Sequence, residues 1–167
     1  MAHVLGILAV ICYLLCFQFK TRKNIIIVNL LSRLFYILQY VFLNALSGAV
    51  LEISGLIFSY IAKEKERKFI KKHYIFFVVL TDFLLLAAGL LSYDNIYSLF
   101  AISGIIIEIT ALWLTKEKNM RMLSVFSLPL WFVYNLKNGA YGSVAGNIIV
   151  TISILTAMIR LDFKKEK

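Results

Sequence analysis

The sequence is poor in charged residues and in cysteine, and each shortage excludes a class of protein. Only 16% of the 167 residues are charged while 61% are hydrophobic, which is far from the balance of a soluble domain. The two cysteines, Cys12 and Cys16, lie one helical turn apart without a nearby His or third Cys. We therefore expect these thiols to pack in the core, and we expect neither a metal site nor a disulfide.

The sequence also lacks the motifs of an enzyme or of a nucleic-acid-binding protein. It has no nucleophile beside a base, no metal-ligand spacing and no phosphate-binding loop, and His3 and His73 lie at the ends of apolar runs. The 18 Lys and Arg residues outnumber the nine acids, but they cluster at the ends of apolar runs rather than along a polar surface. We expect no catalytic activity, no cofactor and no nucleic acid partner.

Apolar runs separated by short charged clusters are what the sequence has in abundance. A membrane-spanning helix needs about 20 apolar residues, and seven runs approach that length. This pattern predicts an all-α membrane protein with seven transmembrane helices surrounded by a lipid bilayer. The predicted spans are residues 2–19, 24–43, 49–62, 74–91, 96–114, 122–135 and 143–159.

The distribution of basic residues predicts the orientation in the membrane. All Lys and Arg residues except Arg33 and Lys137 lie in the first, third and fifth loops or at the C-terminus. Because basic loops stay in the cytoplasm, this alternation predicts an external N-terminus and a cytoplasmic C-terminus. The most basic loop, at 63–72, is also suited to contact anionic lipid head groups.

An internal repeat is the main clue to function. Sliding the sequence against itself by 95 positions aligns the first three spans with the last three without a gap. Identity is low, but turns and polar positions coincide: Tyr36 falls on Trp131, and Glu52 falls on Asn147.

Four spans separate the start of one unit from the start of the next, so both units enter the membrane from the same side. This predicts two parallel three-helix repeats, at 1–62 and 96–167, joined by a basic loop and linker helix at 63–95. Such repeats enclose a central path. With both repeats in one chain, a monomer is sufficient, and a homo-oligomer stays open.

The aromatic and amide residues of the second repeat carry a resemblance to a known superfamily. The run Leu-Trp-Phe-Val-Tyr at 130–134, followed by Asn147, resembles the pocket pattern of the SWEET/MtN3 sugar transporters and their PQ-loop relatives. The resemblance implies a 3+1+3 fold in which these residues line a substrate pocket, with Tyr36 and Glu52 in the equivalent places. The chain departs from the sugar transporters in having Glu52 where they have an amide, and it lacks the proline-glutamine pair.

The last third of the chain is more similar to the YgjV-type bacterial inner-membrane proteins. That resemblance implies a multi-pass protein of the bacterial cytoplasmic membrane, and it implies the fold rather than an activity. The matching features are Met120-Arg121, Ser127, Trp131, Asn135, Gly139, Gly142 and a polar residue at position 147.

Four ionisable residues lie inside predicted spans, where a charge is costly and is by default a functional candidate. They are Arg33, Glu52, Asp82 and Glu108. We predict an intramembrane charge network in which Arg33 pairs with one or two of the acids. For Glu52 a direct contact with a solute is an equal alternative.

These features predict a facilitator or proton-linked carrier for a small polar metabolite, such as a sugar or vitamin-like solute. Aromatic rings would stack on the solute, carboxylate and amide groups would hydrogen-bond it, and Pro129 would act either as a hinge or as a static kink in the sixth helix. The alternative is a non-transporting receptor or assembly subunit whose polar core only holds the helices together. The predicted substrate-binding residues are Tyr36, Gln39, Glu52, Trp131, Tyr134, Asn135 and Asn147.

Overall fold

A computed structural model of the protein describes residues 1–163. Every regular element in that range is helical, which confirms the all-α prediction; the predicted basic tail at 164–167 lies outside it. The last helix continues into a π-helical segment, Ile159–Phe163. The helices are α1 (Ala2–Cys16), α2 (Arg22–Phe42), α3 (Leu46–Lys63), α4 (Lys68–Lys72), α5 (Tyr74–Leu91), α6 (Ser98–Trp113), α7 (Glu117–Lys137) and α8 (Tyr141–Met158).

Four of the described helical segments are long and apolar enough to cross a membrane by length and composition. They are α2, α3, α5 and the segment Tyr141–Asp162, which joins α8 to most of the π-helical segment. The apolar helices α1 and α6 are shorter, with 15 and 16 residues, and α7 has 21 residues but is more polar. Length and composition therefore support spanning helices at four of the seven predicted places.

Six helices form a closed ring around a central axis. Going round it, α1 packs on α2, α2 on α3, α3 on α6, α6 on α7, α7 on α8, and α8 returns to α1. The helix α5 lies outside the ring, against α3 and α6. This order places α2 and α7 on opposite sides of the centre.

Two pairs of helices in the ring have the same length and begin and end 95 residues apart, which is the offset of the sequence repeat. Helices α2 and α7 both have 21 residues, and α3 and α8 both have 18. In each pair the first residues are 95 positions apart, as are the last residues, so Arg22 corresponds to Glu117 and Leu46 to Tyr141.

The turns before α3 and α8 match at the same offset. Asn44 has φ 54° and Gly139 has φ 67°, and these are the only residues with clearly positive φ in the described part of the chain. Each turn is closed by an equivalent backbone bond, from the amide of Ala45 to the carbonyl of Tyr40 (2.9 Å) and from Ala140 to Asn135 (3.0 Å).

Polarity is arranged with the charged and amide groups inside and the aliphatic groups outside. The largest buried side chains include Arg33 and Arg121, while the helix faces that point outward carry Leu, Ile and Phe, with Phe83 of α5 64% exposed. Contiguous exposed apolar surface of this kind is unusual on a soluble monomer. It is what a helix bundle surrounded by lipid requires.

The structure corrects the predicted boundaries of the sixth span. Residues 122–135 were predicted as the span and 135–139 as a polar turn, but α7 begins at Glu117 and ends at Lys137. The charges at its ends do not stop the helix, because an acid in the first turn and a base in the last both interact favourably with the helix dipole.

The two matched turns generate a first prediction about stability. Changing Gly139→Ala should cost about 1 kcal/mol of unfolding free energy, because a Cβ there meets no atom within 4 Å and only the left-handed backbone opposes it. Asn44→Gly should be close to neutral, since Asn tolerates this conformation. Thermal unfolding in detergent measures both.

The matched control is Gly142→Ala, three positions further along in α8. There an added Cβ makes only ordinary contacts, at 3.5 Å from the His3 carbonyl oxygen, so alanine should be neutral or stabilising by up to about 1 kcal/mol. Equal losses for the Gly139 and Gly142 variants would contradict the assignment of a strained turn.

Candidate functional site

A small polar cavity lies at the centre of the ring, between α2 and α7. Its volume is about 20 Å³, which leaves room for about one water molecule. Its walls combine two carboxylates, one guanidinium, four aromatic rings and two amides. The lining residues are Tyr13, Ser32, Arg33, Tyr36, Tyr40, Glu52, Glu108, Leu128, Trp131, Asn135 and Asn147.

Positions related by 95 residues account for almost the whole lining. All the lining residues except Ser32 fall into five such pairs, so the cavity is lined by equivalent positions of both halves. The pairs are Tyr13 with Glu108, Arg33 with Leu128, Tyr36 with Trp131, Tyr40 with Asn135, and Glu52 with Asn147.

A buried ionic cluster forms one wall. The Arg33 guanidinium, 1% exposed, donates from Nη1 to Glu52 Oε2 (2.6 Å) and from Nη2 to Glu108 Oε1 (2.8 Å). Its Nε donates to Asn29 Oδ1 (3.0 Å) and to Ser59 Oγ (3.1 Å). Every nitrogen of the side chain therefore has an acceptor, as a charge buried at membrane depth requires.

The helix α3 leaves space for this guanidinium at Gly55. An ideal Cβ at Gly55 would lie 2.6 Å from Arg33 Nη1 and 2.8 Å from Ile105 Cδ1. A side chain there would push the guanidinium away from Glu52, which lies one turn earlier on the same helix. The position therefore needs the close approach that only glycine allows.

Aromatic rings form the second wall. The rings of Tyr36, Tyr40 and Trp131 follow one another in a stack, with centroids 6.2 Å apart at each step and interplanar angles of 19° and 17°. Tyr134 meets both Tyr40 and Trp131 edge-on. The stack joins α2 to α7 across the centre of the ring and closes the cavity on that side.

A chain of amide and hydroxyl groups lies beyond the rings. Tyr40 donates to Asn135 Oδ1 (2.7 Å). The Asn135 amide donates to Asn147 Oδ1 (3.3 Å), and Asn147 Nδ2 donates to the Ser143 carbonyl (3.2 Å). The Ser143 hydroxyl donates to Gln39 Oε1 (2.7 Å). This chain connects α2, α7 and α8, while the Gln39 amide nitrogen has no hydrogen-bond partner among the described residues.

Two pairs of equivalent residues contact each other directly, one near each end of α2 and α7. Tyr40 bonds Asn135 as described, and the backbone amide of Arg22 donates to Glu117 Oε1 (3.2 Å). Equivalent positions can touch only where they lie close to the axis that relates them. The axis that relates them therefore runs between α2 and α7. The two contacts lie about 27 Å apart along it, as calculated from the rise of an α-helix.

Two basic side chains and one tyrosine cap the end of α6 near the Arg22 contact. Arg22, Lys65 and Tyr74 donate to the carbonyls at 112–114, which are the last two of α6 and that of the residue after it, and Lys65 Nζ is 3.0 Å from two of them. These carbonyls have no partner within the helix. Burial, and secondarily the charge of Arg22, lowers the pKa of Lys65 to about 8.

A family of bacterial inner membrane proteins matches nearly the whole length of the chain. The family model, Imp-YgjV, is described as bacterial inner membrane protein and covers residues 1–165. The protein belongs to this family. The match confirms the YgjV-type resemblance and the bacterial inner-membrane location. No curated protein and no solved structure matches the chain.

In this YgjV-family protein the structure brings most of the predicted site residues to the cavity. The predicted residues that line it are Tyr36, Glu52, Trp131, Asn135 and Asn147. Gln39 and Tyr134 do not line it but anchor neighbouring helices. The Tyr134 hydroxyl accepts a hydrogen bond from the Gly48 amide (2.7 Å). Gln39, the counterpart of Tyr134, likewise accepts one from Ser143, which is the counterpart of Gly48.

Two other predicted residues lie elsewhere. The charge network predicted for Arg33, Asp82 and Glu108 is wrong for Asp82, which lies on α5 outside the ring and accepts a bond from Thr110 (3.2 Å). The residue Pro129 is inside α7 and lines an apolar groove between α7 and α8.

Several residues of the site were missed by sequence reasoning. Tyr13 and Tyr40 line the cavity, and each is the counterpart, 95 positions away, of a polar residue that was already a candidate. Outside the cavity, sequence reasoning also missed a second buried ion pair, in which Arg121, 2% exposed, donates two hydrogen bonds to Asp162 (2.7 and 2.9 Å). The repeat itself was the signal for the tyrosines, since a phenol opposite an acid or amide suggests a shared site.

The ionic cluster generates a second prediction. Arg33→Met should cost about 3–5 kcal/mol of unfolding free energy, because it leaves two buried carboxylates without their cation. The triple variant that adds Glu52→Gln and Glu108→Gln should regain most of that loss. Unfolding in detergent, followed by helix content, measures the difference.

The control is Leu128→Met at the position equivalent to Arg33, where a volume-conserving apolar change should cost less than about 1.5 kcal/mol. If Arg33→Met were as mild as this control, the two ion pairs would contribute little to the fold.

Proposed function

We propose that this protein is an integral membrane carrier for a small polar solute, working by alternating access between two three-helix repeats. In this proposal 1–62 and 96–167 are the repeats, and the linker at 63–95 contains α5. One observation carries it: the central polar cavity is lined almost entirely by positions that correspond between the halves. A site on the axis between two repeats is where carriers of this architecture bind their solutes.

The two contacts between equivalent residues of α2 and α7 support an occluded state, in which the cavity is closed to both sides of the membrane. The Tyr40–Asn135 bond closes one end, and the contact between Arg22 and Glu117 closes the other. A solute would enter when one contact opens and leave when the other does, while α3 and α8 move with their own repeats. The same geometry supports a 3+1+3 arrangement of seven spans, similar to that of SWEET and PQ-loop proteins.

The bound solute would replace contacts that the side chains now make with each other. Tyr36 and Trp131 present ring faces for stacking, and Asn147 and Glu52 carry hydrogen-bonding groups on equivalent turns of α8 and α3. Gln39 and Asn135 serve as secondary polar contacts. Pro129 removes one backbone bond from α7 beside the cavity and provides a place where that helix can bend.

A second candidate function is a structural polar core in a non-transporting receptor or assembly subunit. The observation that favours it is that Glu52 and Asn147 both bond to other side chains of the bundle and the cavity has room for only about one water molecule. An occluded carrier has the same features in its closed state, so the two candidates differ in whether a ligand opens the cavity.

Ligand binding is the first test of the carrier. A thermal-shift screen of the purified protein against sugars, nucleosides, vitamins and amines should yield a ligand that raises the melting temperature. At a ligand concentration a hundred times Kd, binding should stabilise the folded state by about 2.7 kcal/mol. Glu52→Gln and Asn147→Ala should lose that shift, because both remove groups that face the cavity.

The controls for this screen lie on the same two helices. Ser54→Ala and Thr151→Val change hydroxyls that bond only to their own helix backbone, so both should keep the shift. Should no ligand move the wild type while Glu52→Gln and Asn147→Ala unfold at much lower temperature than these controls, the structural core is the correct function.

Membrane topology is a separate test of the seven-span architecture. In a background with Cys12→Ala and Cys16→Ala, Asp94→Cys should react with an impermeant maleimide in intact spheroplasts. Lys68→Cys should react only after permeabilisation. Both positions are exposed, so access depends on the side of the membrane. Labelling of both from one side would show that α5 does not cross the membrane.

A further inference from the structure

The ionic cluster holds an uneven number of charges. Arg33 supplies one positive charge, and Glu52 and Glu108 supply two carboxylates within 2.8 Å of it. Among the described residues, no other Lys, Arg or His lines the cavity. With both carboxylates ionised, the cavity therefore carries one net negative charge.

In the part of the chain that the structure describes, no further cation lies at the cavity to neutralise that charge. All three nitrogens of the Arg33 guanidinium are already bonded, to Glu52, Glu108, Asn29 and Ser59. A lone negative charge buried at this depth is costly, so the cluster needs one positive charge from outside the chain. We propose that the cavity exchanges one proton for one small organic cation, and that Glu52 and Glu108 hold whichever of the two is bound.

The proton belongs to the closed state. A cavity of about 20 Å³ admits no organic solute, and a proton on one of the two carboxyl groups balances the charge there without any bound ion. When the cavity opens, this proton passes to water as the cation enters. The net charge of the site stays at zero in both states.

The aromatic wall indicates which cation the open cavity takes. The rings of Tyr36, Tyr40 and Trp131 line the cavity together with the two carboxylates. Aromatic rings attract ammonium, quaternary ammonium and guanidinium groups. The net negative charge of the cavity, together with these rings, therefore favours an organic cation over an uncharged sugar.

An unused polar group also points to a ligand. The hydroxyl of Tyr13, a residue only 5% exposed that lines the cavity beside Glu108, has no hydrogen-bond partner within the described residues. A buried phenol normally has one. A protonated carboxyl group or a bound cation with its water provides the missing partner.

Charged and titratable groups from several helices lie around the two carboxylates. Asp82 on α5 faces Thr110 instead and is outside this set. The charged and titratable groups that face Glu52 or Glu108 are Arg33, Tyr36 and Tyr40 on α2, Tyr13 and Cys16 on α1, and Tyr134 on α7.

Competition between the proton and the cation fixes the sign of the pH dependence. Because one site holds either species, cation binding releases a proton and weakens as pH falls. This inference rests on the proposed carrier function, since it assumes that the cavity opens to a solute. It adds the charge of that solute and its coupling to protons.

The experiment compares cations with uncharged molecules of the same shape. Choline is paired with its carbon isostere dimethylbutanol, and guanidinium at low millimolar concentration is paired with urea. Thermal shift and pH change in weakly buffered detergent are recorded at pH 6 and pH 8. A cation should raise the melting temperature more at pH 8 and release about one proton per protein, while its isostere does neither.

Two variants and one control locate the charge. Glu52→Gln and Glu108→Gln each remove the excess negative charge, so either should weaken cation binding about tenfold or more and abolish proton release. Since each alone suffices, a variant that fails to fold leaves the other. Asp82→Asn removes an acid outside the ring and should change neither readout.

A second readout needs no ligand. The infrared band of a protonated carboxylic acid should be present in the wild type and in Asp82→Asn at neutral pH, and missing from both Glu variants. Absence of that band from the wild type, or its loss only in Asp82→Asn, would overturn the inference.

The outcomes separate this inference from the carrier function. If the uncharged isosteres or sugars stabilise the protein as strongly as the cations, the cavity is a solute site but the inference of a cation is wrong. When no compound of either kind binds, both the carrier function and this inference fail.

Discussion

The burial of the Arg33 guanidinium is the constraint on which the rest of the structure depends. A cation with five N–H donors can stay inside a membrane bundle only if each side of it meets an acceptor. Glu52 of α3 and Glu108 of α6 are two of these acceptors. Because both bond the same guanidinium, Arg33 links α3 to α6, where the first half of the ring packs on the second. It also explains Gly55, where any side chain would displace the guanidinium.

Polar contacts take this role because lipid removes the usual driving force for helix packing. Apolar side chains gain little by leaving lipid for the protein interior, so helices in membranes associate through close packing and hydrogen bonds. Here both devices occur together: Tyr134 packs on Gly48 of α3 and accepts a bond from its backbone amide. The outer faces of the helices are left to aliphatic residues, whose identity affects the fold less.

The sequence predicted which positions of the two repeats correspond better than it predicted which side chains touch. The 95-residue offset aligns α2 with α7 and α3 with α8, and it places Tyr36 opposite Trp131 at the cavity. It could not give the direction in which a side chain points, so Asp82 was grouped with Arg33 by depth alone although α5 lies outside the ring. The apolar run also underestimated the length of α7. The helix continues through the charged residues at its two ends, because long charged side chains can reach the aqueous surface from there.

Tyrosines were the residues of the site most easily missed. In a sequence with nine tyrosines a phenol is indistinguishable from a packing aromatic until its neighbours are known. Tyr40 proved to meet its own counterpart, Asn135, on the axis. The 95-residue offset pairs these two positions in the sequence, although it does not show that the two side chains touch.

The divergence of the two halves has a simple electrostatic reason in the architecture proposed above. Two identical halves around an axis contribute every charge twice, so their shared site can carry only an even net charge. A site that must hold a single proton or a single cation therefore requires halves that differ. Arg33, Glu52 and Glu108 supply that odd count because none is repeated. Their counterparts are Leu128, Asn147 and Tyr13, all uncharged.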